Sequence, residues 1–369
     1  MKNIGILSMQ KIDNYGSVLQ SYGLKKMLES LGATVFFVDI EKRDEDNKLL
    51  GSVINDFRNE CDKGGFHFSK VNKYIWIRVK HRIEARHCIN YFDIFRDKYL
   101  NIDDKREKYD LCVIGSDEVF NCLNPEWWGF TSQLFGDVVN ANKVITYAAS
   151  CGATKFEQLP NGVVERIRQA FVNVSGFSVR DKNTKVFVSK IADVNISENF
   201  DPVLVYDFKK EIEETKLLDL PKKYCVIYAY NNRIREKREI DKIIKFCKRR
   251  KLIPISLCGE QFWCKKHINC SPFECLKVFQ EAEFVITDTF HGTIFSAKYS
   301  KRFGVIIRES NRNKLGDLVD RLNINDHVLS DTLNLEEVYE LGKREMDINN
   351  ILNLQRKKTI QYLQEYINE

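Results

Sequence analysis

Residues Phe284-Val-Ile-Thr-Asp-Thr-Phe-His-Gly-Thr-Ile-Phe295 pass from an apolar run through a polar turn into a second apolar run. The run Phe284–Ile286 reads as a buried strand, Thr287-Asp288-Thr289 as the turn that stops it, and His291-Gly292 as the start of a helix. In α/β proteins the carboxyl end of such a strand opens into a crevice. The first N–H groups of the following helix point into it, so the junction suits an anionic ligand. His291 is the only histidine in that turn, where a proton-transfer group or an anion contact is expected.

The same grammar extends to both sides. Around the junction, strands are expected at Tyr224–Tyr230, Ile253–Leu257 and Phe303–Ile307, with helices over 235–250, 272–280 and 291–299. Ser271 before Pro272 gives a helix cap followed by a first helical proline. Further helices near 313–322, 335–341 and 346–367 close the chain. Upstream, 3–8, 34–38, 109–114, 143–150, 177–180 and 201–205 read as strands, and Val18, Leu19, Tyr22, Leu24, Met27, Leu28 and Leu31 recur at helical spacing, with Ser17 as the N-cap and Gly32 as the closing residue. Helices are expected over 161–172 and from Asn183. Strand followed by helix, repeated, implies a mostly parallel sheet with helices on both faces.

The fold class expected is therefore α/β, with two Rossmann-like domains in a GT-B-like layout and C-terminal helices. The boundaries expected are 1–206 for an acceptor-side domain, with a helical insertion at about 41–108, a charged linker at 207–222, a donor-side domain at 223–345 and a C-terminal helix at 346–369. The active site is expected in the cleft lined by strand-end loops of both halves.

Composition narrows the function. The chain has 369 residues, 43% hydrophobic and 12% aromatic, enough for two cores, and its net charge of +6 suits anionic small molecules or an anionic membrane surface. The charge is too diffuse for nucleic acid. Between Lys70 and Lys98, eight Lys/Arg stand against three acids, which reads either as solvated helix faces or as a peripheral contact with anionic lipid. The N-terminus lacks a signal-peptide pattern and no stretch approaches a membrane span, so a cytoplasmic protein is expected. None of the eleven cysteines forms a C-x-x-C pair, and Cys258, Cys264, Cys270 and Cys275 lack zinc spacing. Free thiols and no metal are expected. The first turn lacks G-x-G-x-x-G, so no dinucleotide is indicated.

The strand-end loops supply the chemistry. From the first half come Asp13, Asn14, Tyr15, Gly16 and Ser17, then Ser116, Asp117 and Glu118, then Arg180; from the second come Asn231, Asn232, Gly259, Asp288, Thr289, His291, Gly292 and Arg308. An anionic donor calls for guanidinium groups and helix N-termini, and proton transfer calls for a group titrating near neutrality. Each residue also has a plain structural use: His291 at a helix start, Arg180 paired with a neighbouring acid, Asp117 and Glu118 answering a helix dipole, Asn14 and Gly16 shaping a turn.

Five motifs occur in order: Asn14-Tyr-Gly-Ser-Val-Leu-Gln20, Gly115-Ser-Asp-Glu-Val-Phe120, Ser178-Val-Arg-Asp181, Asp201-Pro202 and Thr287-Asp-Thr-Phe-His-Gly-Thr-Ile-Phe-Ser296. Together they resemble the polysaccharide pyruvyl transferase family, over residues 4 to about 325. The resemblance implies transfer of pyruvate from phosphoenolpyruvate, as donor substrate with no cofactor, to sugar hydroxyls, leaving a cyclic ketal on a capsule, exopolysaccharide or cell-wall glycan. It implies His291 as the histidine acting at the phosphoenolpyruvate site and Arg180 as the arginine holding the donor anion. With the strand-end loops read against that reaction, Asp117 is expected to be catalytic beside His291, Thr289, Gly292 and Arg308 to join Arg180 on the donor side, and Asn14, Tyr15, Gly16, Ser116 and Glu118 to line the acceptor side. Characterised members often carry Arg-x-His where this chain has Thr289-Phe-His291. The donor charge is then either missing or supplied elsewhere, with Arg308 and Lys314 as candidates. A nucleotide-sugar glycosyltransferase and a non-catalytic glycan-binding protein are the alternatives.

Overall fold

The computed structural model describes residues 1–51, 91–100, 108–123, 126–330, 332–342 and 345–368. The chain divides into two compact units. One comprises Met1–Ile12, Gln20–Pro202 and Lys358–Glu369, and the other Asp13–Leu19 and Val203–Lys357.

The first unit holds a six-stranded sheet of β1 (Asn3–Leu7), β2 (Thr34–Val38), β3 (Leu111–Asp117), β4 (Val144–Ala149), β5 (Val174–Val179) and β6 (Ile196–Glu198), in the order β2-β1-β3-β4-β5-β6. Every pairing is parallel. β1 and β2 run leftward and β3 returns to the other side of β1, so the strand order reverses between β1 and β3. The central strands are continuous apolar runs because helices cover both faces. Ile4, Ile6, Val113, Ile145 and Tyr147 are fully buried.

Helix α1 (Tyr15–Ser30) connects β1 to β2, with Gly32 in a left-handed conformation just past its end. Its first turns, to Leu19, group with the second unit, and the remainder with the first. Ser17 is not its cap. Asn14 Oδ1 accepts the Gly16 N–H at 2.8 Å, so the helix starts earlier, at the buried Tyr15 rather than at the first aliphatic residue. Helices α2 (Asp44–Lys48) and α3 (91–99) are the described parts of the 41–108 segment. The remainder of that segment lies outside the described residues, including most of the basic 70–98 stretch. Buried Asp46 ties α2 down: it accepts the Ser132 N–H at 2.6 Å and pairs with Arg166 at 3.0 Å. Helices α4 (Asn161–Phe171) and α5 (Lys182–Ile191) follow β4 and β5.

Two expectations change here. Asp117 and Glu118 do not stand at a helix start that would give them a dipole to answer: β3 runs on to Asp117, whose φ is 73°, and a loop follows. Asp201–Val205 is not a strand. It contains the short helix α6 (Pro202–Val205), because proline at a helix start fixes φ and needs no N–H partner, which overrides the β-branched valines. The segment 207–222 includes a helix, α7 (Lys209–Glu214).

The second unit is built on β7 (Tyr224–Ala229), α8 (Lys237–Arg250), β8 (Ile253–Cys258), β9 (Lys266–Ile268), α9 (Pro272–Glu281), β10 (Phe284–Thr287), α10 (Phe290–Tyr299) and β11 (Phe303–Val305). The sheet order is β11-β10-β7-β8-β9, all parallel, so the order reverses between β7 and β10. The cap at Ser271 forms as expected: its side chain accepts from Glu274 N while the Glu274 carboxylate accepts from Ser271 N. Helices α11 (Arg312–Leu322), α12 (Leu335–Leu341) and α13 (Glu345–Asn368) complete the chain. The end of α13 packs on the first sheet, where Tyr362 donates to the Thr146 carbonyl at 2.8 Å.

The two α/β units expected from the sequence are thus present, each on its own parallel sheet. No described helix is long and apolar enough to cross a membrane. The described cysteines are free thiols; burial pushes Cys112 and Cys122 up to about 12, which suits packing rather than nucleophilic work.

Candidate functional site

In the second unit the chemistry gathers where the strand order reverses. β10 ends at Thr287, and Thr289 caps α10 by accepting the Gly292 N–H at 3.0 Å. Thr287 Oγ1 accepts from Thr289 N at 3.2 Å, which locks the turn, and Thr293 Oγ1 donates to the Thr289 carbonyl at 2.9 Å. Gly292 is required by closeness: a Cβ there would lie 2.1 Å from Thr287 Oγ1. Thr289 and Gly292 therefore shape the helix start. Such a cap is worth about 1 kcal/mol.

His291 stands in the first turn of α10, half-buried, its ring edge-on to Phe290 at 5.5 Å and tilted on Phe295 at 6.2 Å. Its neighbour across the chain is Gly16, in the first turn of α1. A Cβ on Gly16 would lie 2.1 Å from both Cγ and Nδ1 of the imidazole. The imidazole thus occupies the space that only a glycine leaves open. Tyr15, beside it, is buried and donates to the Cys270 carbonyl at 3.0 Å. So Asn14 caps a helix, Tyr15 anchors it to the second unit, and Gly16 seats His291.

Next to this helix start lies a charged cluster. Asp288 is fully buried, and its Oδ2 meets Arg233 Nε at 3.0 Å and Arg308 Nε at 3.4 Å. Arg308 also pairs with Glu239 at 2.8 Å, and Arg233 donates to Ser310 Oγ at 2.8 Å. Asn311 Nδ2 donates to the Asp288 carbonyl at 2.7 Å. Burial pushes the Asp288 carboxyl above its usual range, although both arginines pull it down. Glu239 is likewise raised, first by burial, with Arg308 opposing. Asn231, Asn232 and Gly259 brace the neighbouring loops: Asn231 Oδ1 accepts from Glu260 N at 2.8 Å, Asn232 Oδ1 from Phe262 N at 3.3 Å, and Gly259 N donates to the Ala229 carbonyl at 2.9 Å.

In the first unit, β3, β5 and the start of α6 bring three ionised groups together. Arg180 sits between Asp117 at 3.2 Å and Asp201 at 2.9 Å, with its side chain 2% exposed. Burial disfavours the guanidinium charge, but Asp117, Asp201, Glu118 and Asp181 outweigh it and hold Arg180 more basic than usual. Ser116 is enclosed: its hydroxyl donates to Gln20 Oε1 at 2.8 Å, while Gln20 Nε2 donates to Ser8 at 2.8 Å. Glu118 accepts from Asn121 Nδ2 at 3.0 Å and lies beside Gly152. Asp181 caps α5 through Thr184 N at 2.8 Å.

The structure therefore gathers His291, Thr289, Gly292, Arg308, Asn14, Tyr15 and Gly16 in one unit, and Ser116, Asp117, Glu118 and Arg180 in the other. Sequence reasoning missed Arg233, Glu239 and the pairing role of Asp201. Arg233 follows Asn231-Asn232 at a strand end, and that position was the available signal.

The family model for polysaccharide pyruvyl transferases matches residues 14–310. The chain belongs to the polysaccharide pyruvyl transferase family. That family is one of transferases acting on polysaccharides, with a sugar acceptor, and all five sequence motifs fall within or overlap the matched span. Comparison with curated protein sequences gives no match. Among solved structures, the chain is similar to Arabidopsis thaliana UGT89C1 complexed with UDP-L-rhamnose, at 10% identity and TM-score 0.49, covering 99% of each chain. It is also similar to UDP-GlcNAc 2-epimerase from Methanocaldococcus jannaschii, at 12% identity and TM-score 0.46, covering 96% of this chain and 93% of that one. The glycosyltransferase SnogD from Streptomyces nogalater gives 12% identity and TM-score 0.44, covering 100% of this chain and 99% of that one. Membership of the family rests on the family model, and the fold on the two sheets themselves.

Proposed function

We propose that the protein transfers pyruvate from phosphoenolpyruvate to a pair of hydroxyls on a sugar, closing a cyclic ketal on a surface polysaccharide or its lipid-linked precursor. The observation that carries this reading is the seat of His291. It stands in the first turn of a helix, at the carboxyl end of a parallel sheet, with its imidazole against Gly16.

The reaction's demands match that placement. Protonation of the donor's methylene carbon makes C2 electrophilic, so a fixed general acid is needed. One sugar hydroxyl adds to C2 and gives up its proton. The second hydroxyl then closes the ketal as inorganic phosphate leaves. His291 supplies the acid and receives a hydroxyl proton in return, or steadies the leaving phosphate. Arg308, paired with Asp288 three residues before His291, is the group assigned to the donor anion in this reading. Asp117, oriented by Arg180, accepts a hydrogen bond from an acceptor hydroxyl. Arg180 acts here through Asp117 and Asp201, because it is closed off from solvent between them. A donor made in the cytoplasm goes with action there, and a lipid-linked acceptor with the inner membrane face.

The test is His291→Ala in the producing cell. Mass spectrometry of the surface glycan should show the pyruvate ketal with the wild-type protein and lose it with the variant. In vitro, phosphate release from phosphoenolpyruvate in the presence of acceptor glycan should fall by about 10²–10⁴-fold with an unchanged melting temperature. Full turnover by the variant, or ketal-free glycan from wild-type cells, rejects the reading.

A further inference from the structure

We propose that Arg233 and Arg308 form a two-guanidinium site for a phosphoryl or carboxylate anion, at the reversal of strand order in the second unit. The topology brings them together. Asp288 follows β10; Arg308 comes from the chain after β11 on one side of it, and Arg233 from the chain after β7 on the other. Both reach the same oxygen, Asp288 Oδ2, and both through Nε. The two cationic groups are thus held as near neighbours by one carboxylate behind them.

The way that carboxylate is used matters. A closed arginine–carboxylate pair engages two guanidinium nitrogens with two oxygens. Here Oδ2 takes both arginines, while Oδ1 is buried with no hydrogen-bond partner. Arg308 Nη2 is held by Glu239 and Arg233 Nη2 by Ser310. No hydrogen bond is formed by the Nη1 group of either arginine among the described residues, and the Arg233 guanidinium lies over the Tyr230 ring at 5.6 Å. The side chains are 28% and 27% exposed, so solutes reach them, whereas Asp288 is closed off. Two restrained guanidiniums with donor capacity left over, side by side and part-exposed, form a fork for an oxyanion with several oxygens. Their order is set before binding, which lowers the entropy of capture.

Asp288 and Glu239 hold the two guanidiniums from the buried side, so a phosphate would approach from the exposed side. Arg233 carries half of this fork.

Anion capture stands on the geometry alone; that the anion is phosphoenolpyruvate rests on the function proposed above. The test is isothermal titration of the full chain at low salt with inorganic phosphate and, separately, with phosphoenolpyruvate. Wild type should bind both. Arg233→Gln and Arg308→Gln should each weaken phosphate binding at least tenfold, and the double variant should lose it. If the double glutamine variant fails to fold, Arg233→Lys with Arg308→Lys keeps the charge and removes the fork, and should bind severalfold more weakly than wild type at an unchanged melting temperature. Wild type that binds neither anion, or either double variant binding phosphate as wild type does, overturns the site. Phosphate binding that depends on both arginines, without affinity for phosphoenolpyruvate, upholds the site and removes phosphoenolpyruvate as its occupant.

Discussion

The two sheets each end in a knot of arginine and carboxylate, and the two knots differ in exposure. In the first unit one arginine, Arg180, serves two carboxylates, Asp117 and Asp201, and is 2% exposed. In the second unit the buried Asp288 meets two arginines that are each more than a quarter exposed, and Glu239 meets one of them. The first knot is closed: Arg180 is spent, and its carboxylates are buried with it, Asp117 10% and Asp201 0% exposed. The second turns Asp288 inward and leaves both guanidiniums part-exposed, although Glu239 also holds Arg308. Two sites made of the same residue types thus differ in what solutes can reach. Exposure decides this, and the presence of an arginine at a strand end does not.

The contrast gives ranked predictions. The largest concerns Arg180. Arg180→Met leaves Asp117 and Asp201 facing each other with no cation, and should destabilise the first unit by about 3–5 kcal/mol, read as a drop in the denaturant midpoint. A loss below 1 kcal/mol would mean the triad behaves as a surface pair. Second, Gly16→Ala puts a methyl into the His291 ring. Turnover should drop on the order of 10²-fold because the imidazole is displaced, with a stability cost of about 1–3 kcal/mol. Activity at the wild-type level would show that the seat of His291 does not matter. Third, Thr289→Ala removes the α10 cap and should cost about 1 kcal/mol, measured by thermal melting. Thr289→Ser, which keeps the hydroxyl, should recover most of it.

The smallest effect is on pH dependence. Asp288 and Glu239 are raised in the folded state, so between their unfolded and folded values the native chain holds more protons than the unfolded one. Their contribution to stability is therefore full below the ordinary carboxylate range and declines as pH rises through their raised values. Glu239→Gln should flatten that decline, in melting curves taken upward from about pH 4. A slope unchanged from wild type would detach Glu239 from the cluster. No such decline is expected from Asp137 in the first unit, where burial is outweighed by the Ser132 hydroxyl and by Arg43 and Arg166, which hold the carboxyl below its usual range.

Much of the fold was legible in the sequence. Apolar runs marked the strands, helical spacing marked α1, α4, α8 and α9, and Ser271-Pro272 announced its helix start because capping is local chemistry. Local patterns failed where two signals competed. Val203 and Val205 argued for a strand, yet Pro202 set a helix. Ser17 stood at the right spacing for a cap, yet Asn14 took that role.

The candidate site was legible in its membership and not in its working parts. By itself the sequence determined the strand–turn–helix junction at Thr287–Gly292, the histidine in it and the family to which the five motifs point, because these depend on neighbours a few residues apart. Only the tertiary structure decided that Gly16 seats His291, that Tyr15 bonds to Cys270 across 255 positions of chain, that Arg180 is spent on Asp117 and Asp201, and that Arg233 joins Arg308 on Asp288. Charge pairing and close approach are properties of groups distant in sequence. The same arginine in the same kind of loop is closed off as a strut or left open to solutes according to how deeply the fold buries it among its carboxylates.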